Sequence, residues 1–292
     1  MPKIGVVLAG CASKGAYEAG CLRAIEDHFG IENIKCVSSA SIGALIAQMH
    51  CVRQSDEFLT AWKSLDTGKI GRFIITYPNN KDVQAMIARL LDAGSEMAYE
   101  HFVSIWNFTK RKVEYVPFHE LSNEQLVQYL RGAMSIPFFS KGVNINGDKV
   151  LDGAFLDNIP VYPLVEKDLD YIFCVYFDNY KYTFESEDFD KKVIKLYDFP
   201  NKEMLEVFTF RKESFDGMMQ YGYDYTMRTI QEVFTSEKPE EVYQAIERRE
   251  KNQITTYKPR FTADLVLNSI NVMTKRYSKS LSTRVKEKAA SK

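Results

Sequence analysis

Apolar residues follow two rhythms along this chain. Residues 3–9, Lys-Ile-Gly-Val-Val-Leu-Ala, are short and almost continuously apolar, the pattern of a strand buried on both faces. From Lys14 to Phe29 the rhythm changes: Leu22, Ile25 and Phe29 recur at helical spacing, and Glu18, Arg23, Glu26 and Asp27 supply a polar face. The unit then repeats, with a strand predicted over Ile34–Ser38, a tight turn over Ser39–Gly43, and a helix over Ala44–Val52 so apolar that it must be buried. Lys81–Leu91 predicts an amphipathic helix ending near Gly94. Ser122 and Gln125 form a capping box for a helix through Arg131, a pattern that Pro137 ends. Lys149–Asp152 reads as a strand end and Tyr171–Phe177 as a further buried strand, followed by the polar, aromatic stretch Asp178–Asp190.

Alternating strands and helices over residues 1–180 predict an α/β fold: a mostly parallel central sheet flanked by helices, with reactive groups at the carboxyl ends of strands. Beyond residue 195 the chain is rich in Tyr, Phe, Lys and Glu, with helical patterns such as Glu240–Lys251 and no further buried strand predicted. Residues 1–200 are therefore expected to form the α/β core and 201–292 a helical portion packed on the same domain. The aromatics of Tyr99–Phe118 are expected mainly in the core, with membrane contact as the sharper alternative.

Composition narrows the function classes. Of 292 residues, 45% are apolar and 26% charged, which is ordinary for a globular protein with a sizeable core. With 38 basic against 39 acidic residues the net charge is -1, so no global field draws the chain onto nucleic acid, and no nucleic-acid partner is expected. The 18 residues from Lys275 hold seven Lys or Arg against Glu287 alone; a solvated tail is the plain expectation, attraction to anionic lipid the alternative. Gly10 interrupts the first apolar stretch before it reaches signal-peptide length, and no window reaches membrane-spanning length. A cytoplasmic protein, at most peripherally associated with membranes, is expected. Cys11, Cys21, Cys36, Cys51 and Cys174 lack metal or redox spacing and are expected as reduced thiols.

Candidate chemistry lies in the turns. Ser39-Ala40-Ser41-Ile42-Gly43 is a G-x-S-x-G elbow with Ser for its first Gly, a turn that presents Ser41 at its tip ahead of a helix N-terminus. A Ser-His-Asp triad in hydrolase order needs a late His, but the only histidines are His28, His50, His101 and His119. The base must then be a carboxylate. Asp152 in Asp152-Gly153-Ala154 is the best candidate: it sits where a strand ends and the chain must turn, with Gly153 free to adopt backbone angles that other residues avoid. Gly10-Cys11-Ala12-Ser13-Lys14-Gly15 opens a helix and offers backbone N–H groups to an anion. Neither the P-loop nor the G-x-G-x-x-G spacing is present, which leaves a nucleotide-binding protein as a weak third reading.

Three blocks in this order resemble the patatin-like phospholipase family: Gly10–Gly15 its G-G-G-x-K/R-G loop, Ser39–Gly43 its elbow, and Asp152–Ala154 its D-G-G/A motif. Leu156-Asp157-Asn158-Ile159-Pro160 resembles it too, and the likeness runs over about residues 4–180. The resemblance implies a three-layer fold and a Ser-Asp dyad without His. Ser41 would be the nucleophile and Asp152 the general base, and acyl lipids or other acyl esters would be hydrolysed through an acyl-enzyme. It implies an oxyanion hole from Gly10, Cys11, Ala12, Ser13, Lys14 and Gly15, supporting roles for Ser39, Gly43, Gly153 and Ala154, and no metal or other cofactor. Cys11 and Ala12 replace two loop glycines, where left-handed backbone would cost about 1 kcal/mol or more each, and Ser39 is expected to crowd the elbow. A catalytically impaired member that binds lipid or regulates is the alternative.

Overall fold

The computed structural model of the protein describes residues 1–11, 14–64, 77–177, 180–197, 212–252 and 256–259. Ala12 and Ser13 of the predicted anion loop lie outside them, as does the basic stretch from Lys275.

Strand β1 (Ile4–Leu8) is fully buried, as its apolar run requires. Its alternate residues serve two clusters: Ile4, Val6 and Leu8 point into one, Val7 and Ala9 into the other. Helix α1 (Gly15–Phe29) and strand β2 (Ile34–Ala40) follow, then α2 (Ile42–Cys51), every residue of which is buried. Helices α3 (Ser55–Ser64) and α4 (Lys81–Ala93) lead to strands β3 (Glu100–Asn107) and β4 (Lys112–Pro117). The aromatic segment forms this hairpin, with Tyr99 and Phe118 buried in the core, Phe102, Trp106 and Tyr115 half-buried, and Phe108 exposed. Helix α5 (Asn123–Ala133) carries the predicted capping box between Ser122 and Gln125. After β5 (Val143–Ile145) and β6 (Asp148–Asp152) come β7 (Tyr171–Val175), β8 (Tyr180–Thr183), the single turn α6 (Glu187–Asp190) and β9 (Val193–Leu196). Helices α7 (Lys212–Val233) and α8 (Pro239–Asn252) and strand β10 (Thr256–Pro259), which pairs with β8, complete the described elements.

An eight-stranded mixed sheet lies at the centre, flanked by helices. Strands β3, β2, β1, β7 and β9 run parallel, and β4, β5 and β6 add antiparallel pairings at one side. On one face α1, α2, α3, α4, α5, α7 and α8 bury their apolar sides; the segment Ile159–Leu169 with Tyr182 and Phe189 covers the other. Two expectations need correction. Past residue 192 the chain supplies a fully buried strand, β9, and later β10; each has only four residues, too few for a hydrophobic period to show. Glu18 does not join the polar face of α1: the first turn, Gly15 through Glu18, is enclosed on every side, and its carboxyl has no hydrogen-bond partner among the described residues. Desolvation pushes that carboxyl well above the usual range.

Helix α7 lies against α1 at unusually close range, because a side chain on Gly20 would strike the Met219 carbonyl and one on Gly222 the Tyr17 carbonyl. Cys21 Sγ donates to Gly222 O at 3.5 Å across the same contact. Among the described residues no helix is long and apolar enough to cross a membrane.

Candidate active site

Strand register brings the two candidate side chains together. One edge of β3 is taken by β4, from Phe102 to Asn107. The opposite edge is shared: β2 runs parallel along it until Ala40 faces Ser104, and β6 runs antiparallel until Asp152 faces Ile105. The carboxyl ends of β2 and β6 therefore meet head-on, and the next residue of β2 is Ser41. There Ser41 Oγ donates to Asp152 Oδ2 at 2.6 Å. Strand β1 ends alongside, with Leu8 opposite Ser39, which carries Gly10 up to Ser41. A Cβ on Gly10 would lie 2.5 Å from the Ser41 Cβ, so this position demands empty space.

Ser41 stands immediately ahead of α2 with φ 51° and ψ -125°. For a non-glycine residue that conformation costs about 1–3 kcal/mol and persists only where packing imposes it. It turns the hydroxyl off the strand axis toward Asp152. Ser41 and Asp152 are 5% and 3% exposed, so their hydrogen bond is sheltered from bulk water. Burial pushes the Asp152 carboxyl up to about 7, against weaker opposing effects of the Ser41 hydroxyl and the Ala154 amide, which donates to Oδ1 at 2.9 Å. A carboxylate with that proton affinity can accept a proton near neutral pH and return it.

The turn after Asp152 is held firmly. Asp152 N donates to Ser135 O at 2.9 Å and Asp157 N to Gly153 O at 2.8 Å; Tyr115 Oη donates to Asp157 Oδ2 at 2.5 Å. Gly153 does not use the backbone freedom open to glycine, since its φ is not positive. It is needed because a side chain there would run into the Ser104 carbonyl of β3. Gly43 likewise gives room to the Leu8 carbonyl, 2.9 Å from where its Cβ would be.

Electropositive backbone converges on Ser41 from two sides. Helices α1 and α2 begin in contact, the position of a Gly15 Cβ being 2.7 Å from Ile42 Cγ1, and each helix start leaves amides without intrahelical acceptors. Lys14 is the N-cap of α1 and buried, its amide donates to Cys11 O at 2.9 Å, and its ammonium lies 5.2 Å from the centre of the Phe177 ring. Cys11 is half-buried with a φ that is not positive, and its thiol is pushed up to about 11 by desolvation. The expected left-handed strain is therefore absent at Cys11, whereas Ala12 and Ser13 lie outside the described residues.

Ser39 does not crowd the elbow. It is the sixth residue of β2 and directs its hydroxyl away from Ser41 to His101 Nε2, 2.7 Å away, and His101 Nδ1 meets Gln48 Oε1 at 2.9 Å. All three are fully buried. Their link escaped the sequence reading, although a lone Gln in an otherwise apolar buried helix was a signal, since a buried amide requires a partner. Asn158, half-buried beside Gly10, has a buried Oδ1 without a hydrogen-bond partner among the described residues. Among the described residues no three His, Cys, Asp or Glu side chains gather as around a metal ion.

Comparison with known proteins gives distant relatives and a family. Lysophospholipase NTE1 of Cryptococcus neoformans is 27% identical over 180 residues, covering 56% of this chain and 10% of that protein. Lysophospholipase NTE1 of Meyerozyma guilliermondii is 24% identical over 186 residues, covering 59% and 12%. The chain thus matches about a tenth of the length of these curated relatives. Among solved structures, VipD from Legionella pneumophila superposes with a TM-score of 0.46 at 15% identity, over 79% of this chain and 67% of that one. The type III effector ExoU gives 0.40 at 13% identity, over 79% and 53%. The sequence model of the patatin-like phospholipases matches residues 6–165, a stretch that includes the strand ends bearing Gly10, Ser41 and Asp152, and the chain belongs to the patatin-like phospholipase family.

Proposed function

We propose that the protein is a serine acyl hydrolase of lipid esters, working through Ser41 and Asp152 alone. The observation that carries this reading is the 2.6 Å hydrogen bond from the Ser41 hydroxyl to a buried carboxylate pushed up to about 7. Asp152 takes the proton as Ser41 Oγ attacks the acyl carbon, and returns it to the departing alcohol. The acyl-enzyme is then cleaved by a water that Asp152 deprotonates. Negative charge on the carbonyl oxygen develops beside the starts of α1 and α2, and the amides of the Gly10–Gly15 loop are the donors assigned to it in this reading. Lys14 adds positive potential to that loop. The names of the curated relatives favour lysophospholipids as first substrates to try.

A fluorophosphonate probe tests this directly, because it labels only an activated hydroxyl. Labelling of the protein, lost in Ser41→Ala and strongly slowed in Asp152→Asn, together with hydrolysis of p-nitrophenyl esters and lysophospholipid, is the expected outcome. A chain that neither labels nor turns over any of these esters would overturn the reading in favour of lipid binding without catalysis.

A further inference from the structure

Apart from Met1 at the chain start, the large apolar side chains exposed among the described residues are Phe108, Phe138, Phe139, Phe155 and Tyr162. They are not scattered. Trp106 stacks on Phe155 with ring centres 5.5 Å apart, and Phe108 meets Trp106 at 5.2 Å and Phe138 meets Phe155 at 5.8 Å, both edge-on. Tyr162 stacks on Tyr115, whose hydroxyl holds the loop after Asp152. Phe155 itself is three residues from Asp152. One aromatic face thus flanks the turn that follows Asp152. Its most exposed member, Phe138, is 90% exposed and held at φ 71°, a strained conformation for an aromatic residue whose ring has only the edge contact with Phe155 among the described residues.

Cations rim this face. Lys110, Arg111, Lys112, Lys141 and Lys149 are exposed on the same segments, against Glu114 and Asp148. Those two carboxylates are engaged by Lys110 and Lys112. Arg111, Lys141 and Lys149 have no ion-pair partner among the described residues, and Lys149 Nζ lies 5.1 Å from the centre of the Phe108 ring. Aromatic rings that can enter the headgroup layer, ringed by lysine and arginine, match a surface that is apolar within and anionic at its boundary.

The geometry points to this face as the docking surface for an anionic lipid bilayer, seating the Asp152 turn against the headgroups. Docking stands on the exposed rings and their charges alone; its use in feeding acyl chains to Ser41 rests on the proposed hydrolase reading. A protein partner would more commonly bury such rings under a polar rim of mixed sign, whereas here the unpaired rim charges share one sign.

Flotation with vesicles of phosphatidylcholine, with and without about one third phosphatidylserine, tests the assignment. Ser41→Ala serves as the non-hydrolysing form. Binding to anionic vesicles, weakened by salt, is expected, and should fall at least about tenfold in Phe138→Ser/Phe139→Ser and in Lys141→Glu/Lys149→Glu. The chain has two tryptophans, of which Trp62 is fully buried, so a blue shift on binding, quenched by brominated acyl chains, reports Trp106 at the membrane. Both double variants should hydrolyse a soluble p-nitrophenyl ester at the wild-type rate. No binding to anionic vesicles, or undiminished binding by both variants, overturns the docking surface. Self-association abolished by the same substitutions, without vesicle binding, reassigns the face to a second copy. Vesicle binding with no ester hydrolysis leaves docking standing and removes the hydrolase reading; soluble hydrolysis without vesicle binding does the reverse.

Discussion

Two serines, separated by Ala40, each share a hydrogen bond with a buried titratable partner, and the two pairs differ in almost everything else. Ser39 Oγ lies 2.7 Å from His101 Nε2, and Ser41 donates to Asp152 at 2.6 Å. A serine on a histidine is the more familiar catalytic pairing, yet here it lies fully buried within the sheet. Burial opposes charge on either partner, which has opposite chemical consequences. It pushes the His101 imidazole down to about 3, so the ring does not take up a second proton at neutral pH. It pushes the Asp152 carboxyl up to about 7, giving it the proton affinity that the histidine has lost. The same loss of solvent removes a base from one pair and supplies one to the other. Backbone completes the contrast, since Ser39 stays in regular strand and Ser41 takes the positive φ that lifts it to the elbow.

The comparison breaks most sharply under substitution of one serine at a time. On the proposed mechanism, Ser41→Ala lowers kcat/KM for p-nitrophenyl esters at least about a thousandfold. Ser39→Ala should leave it within a few-fold, and equal losses would mean that Ser39 shares in the chemistry. Asp152→Asn follows with a loss of about 10²–10⁴-fold. In the wild type, kcat/KM should rise with pH and level off above about 7, where Asp152 is ionised in the free enzyme. A profile flat from pH 5 to 8 would show that Asp152 is not the base.

Stability against pH sharpens the contrast further. Asp152 binds its proton more tightly folded than unfolded, so its contribution is full below about 3.8 and is lost as the pH rises through about 7. His101 binds its proton less tightly when folded, so its contribution is full above about 6.5 and is lost as the pH falls toward about 3. Between pH 7 and 4 the two slopes oppose one another. Urea unfolding of Asp152→Asn should show both a gain at pH 8, on the order of 2–4 kcal/mol, and a steeper loss on acidification than the wild type. Parallel curves for the two proteins would contradict the raised proton affinity of Asp152.

Much of this was legible in the sequence because it is local. The buried run of β1, the apolar α2, the Ser122 capping box and the tight turn at Ser41 each occupy a few consecutive residues, and the pairing of Ser41 with Asp152 could be named once no late histidine was available. What was hidden depends on distant partners. The meeting of β2 and β6 on one edge of β3 is a matter of register between segments more than a hundred residues apart. The role of Gly153 depends on Ser104, that of Gly222 on Tyr17, and nothing in the neighbourhood of either glycine announces it. Glu18 follows the polar rhythm of a solvent-facing position and is buried all the same, because tertiary packing overrode the local pattern.

The smallest expected effect concerns the elbow residue in which this chain departs from its family. Ser39→Gly restores the usual motif, yet it removes the hydroxyl that His101 Nε2 meets at 2.7 Å. Gln48 Oε1 accepts from Nδ1, so the neutral ring keeps its only proton there, and Nε2 is left a buried acceptor with nothing to bind. An orphaned acceptor of this kind costs about 1–3 kcal/mol, and glycine within a strand adds roughly 0.5–1 kcal/mol. The family residue should therefore destabilise this protein, seen as a lower urea midpoint at pH 7, with kcat/KM changed only a few-fold. Ser39→Ala isolates the hydrogen bond from the glycine cost and should fall between the wild type and Ser39→Gly. Should Ser39→Gly instead match or exceed the wild type in stability, the serine would be a tolerated substitution and His101 would owe its place to packing alone.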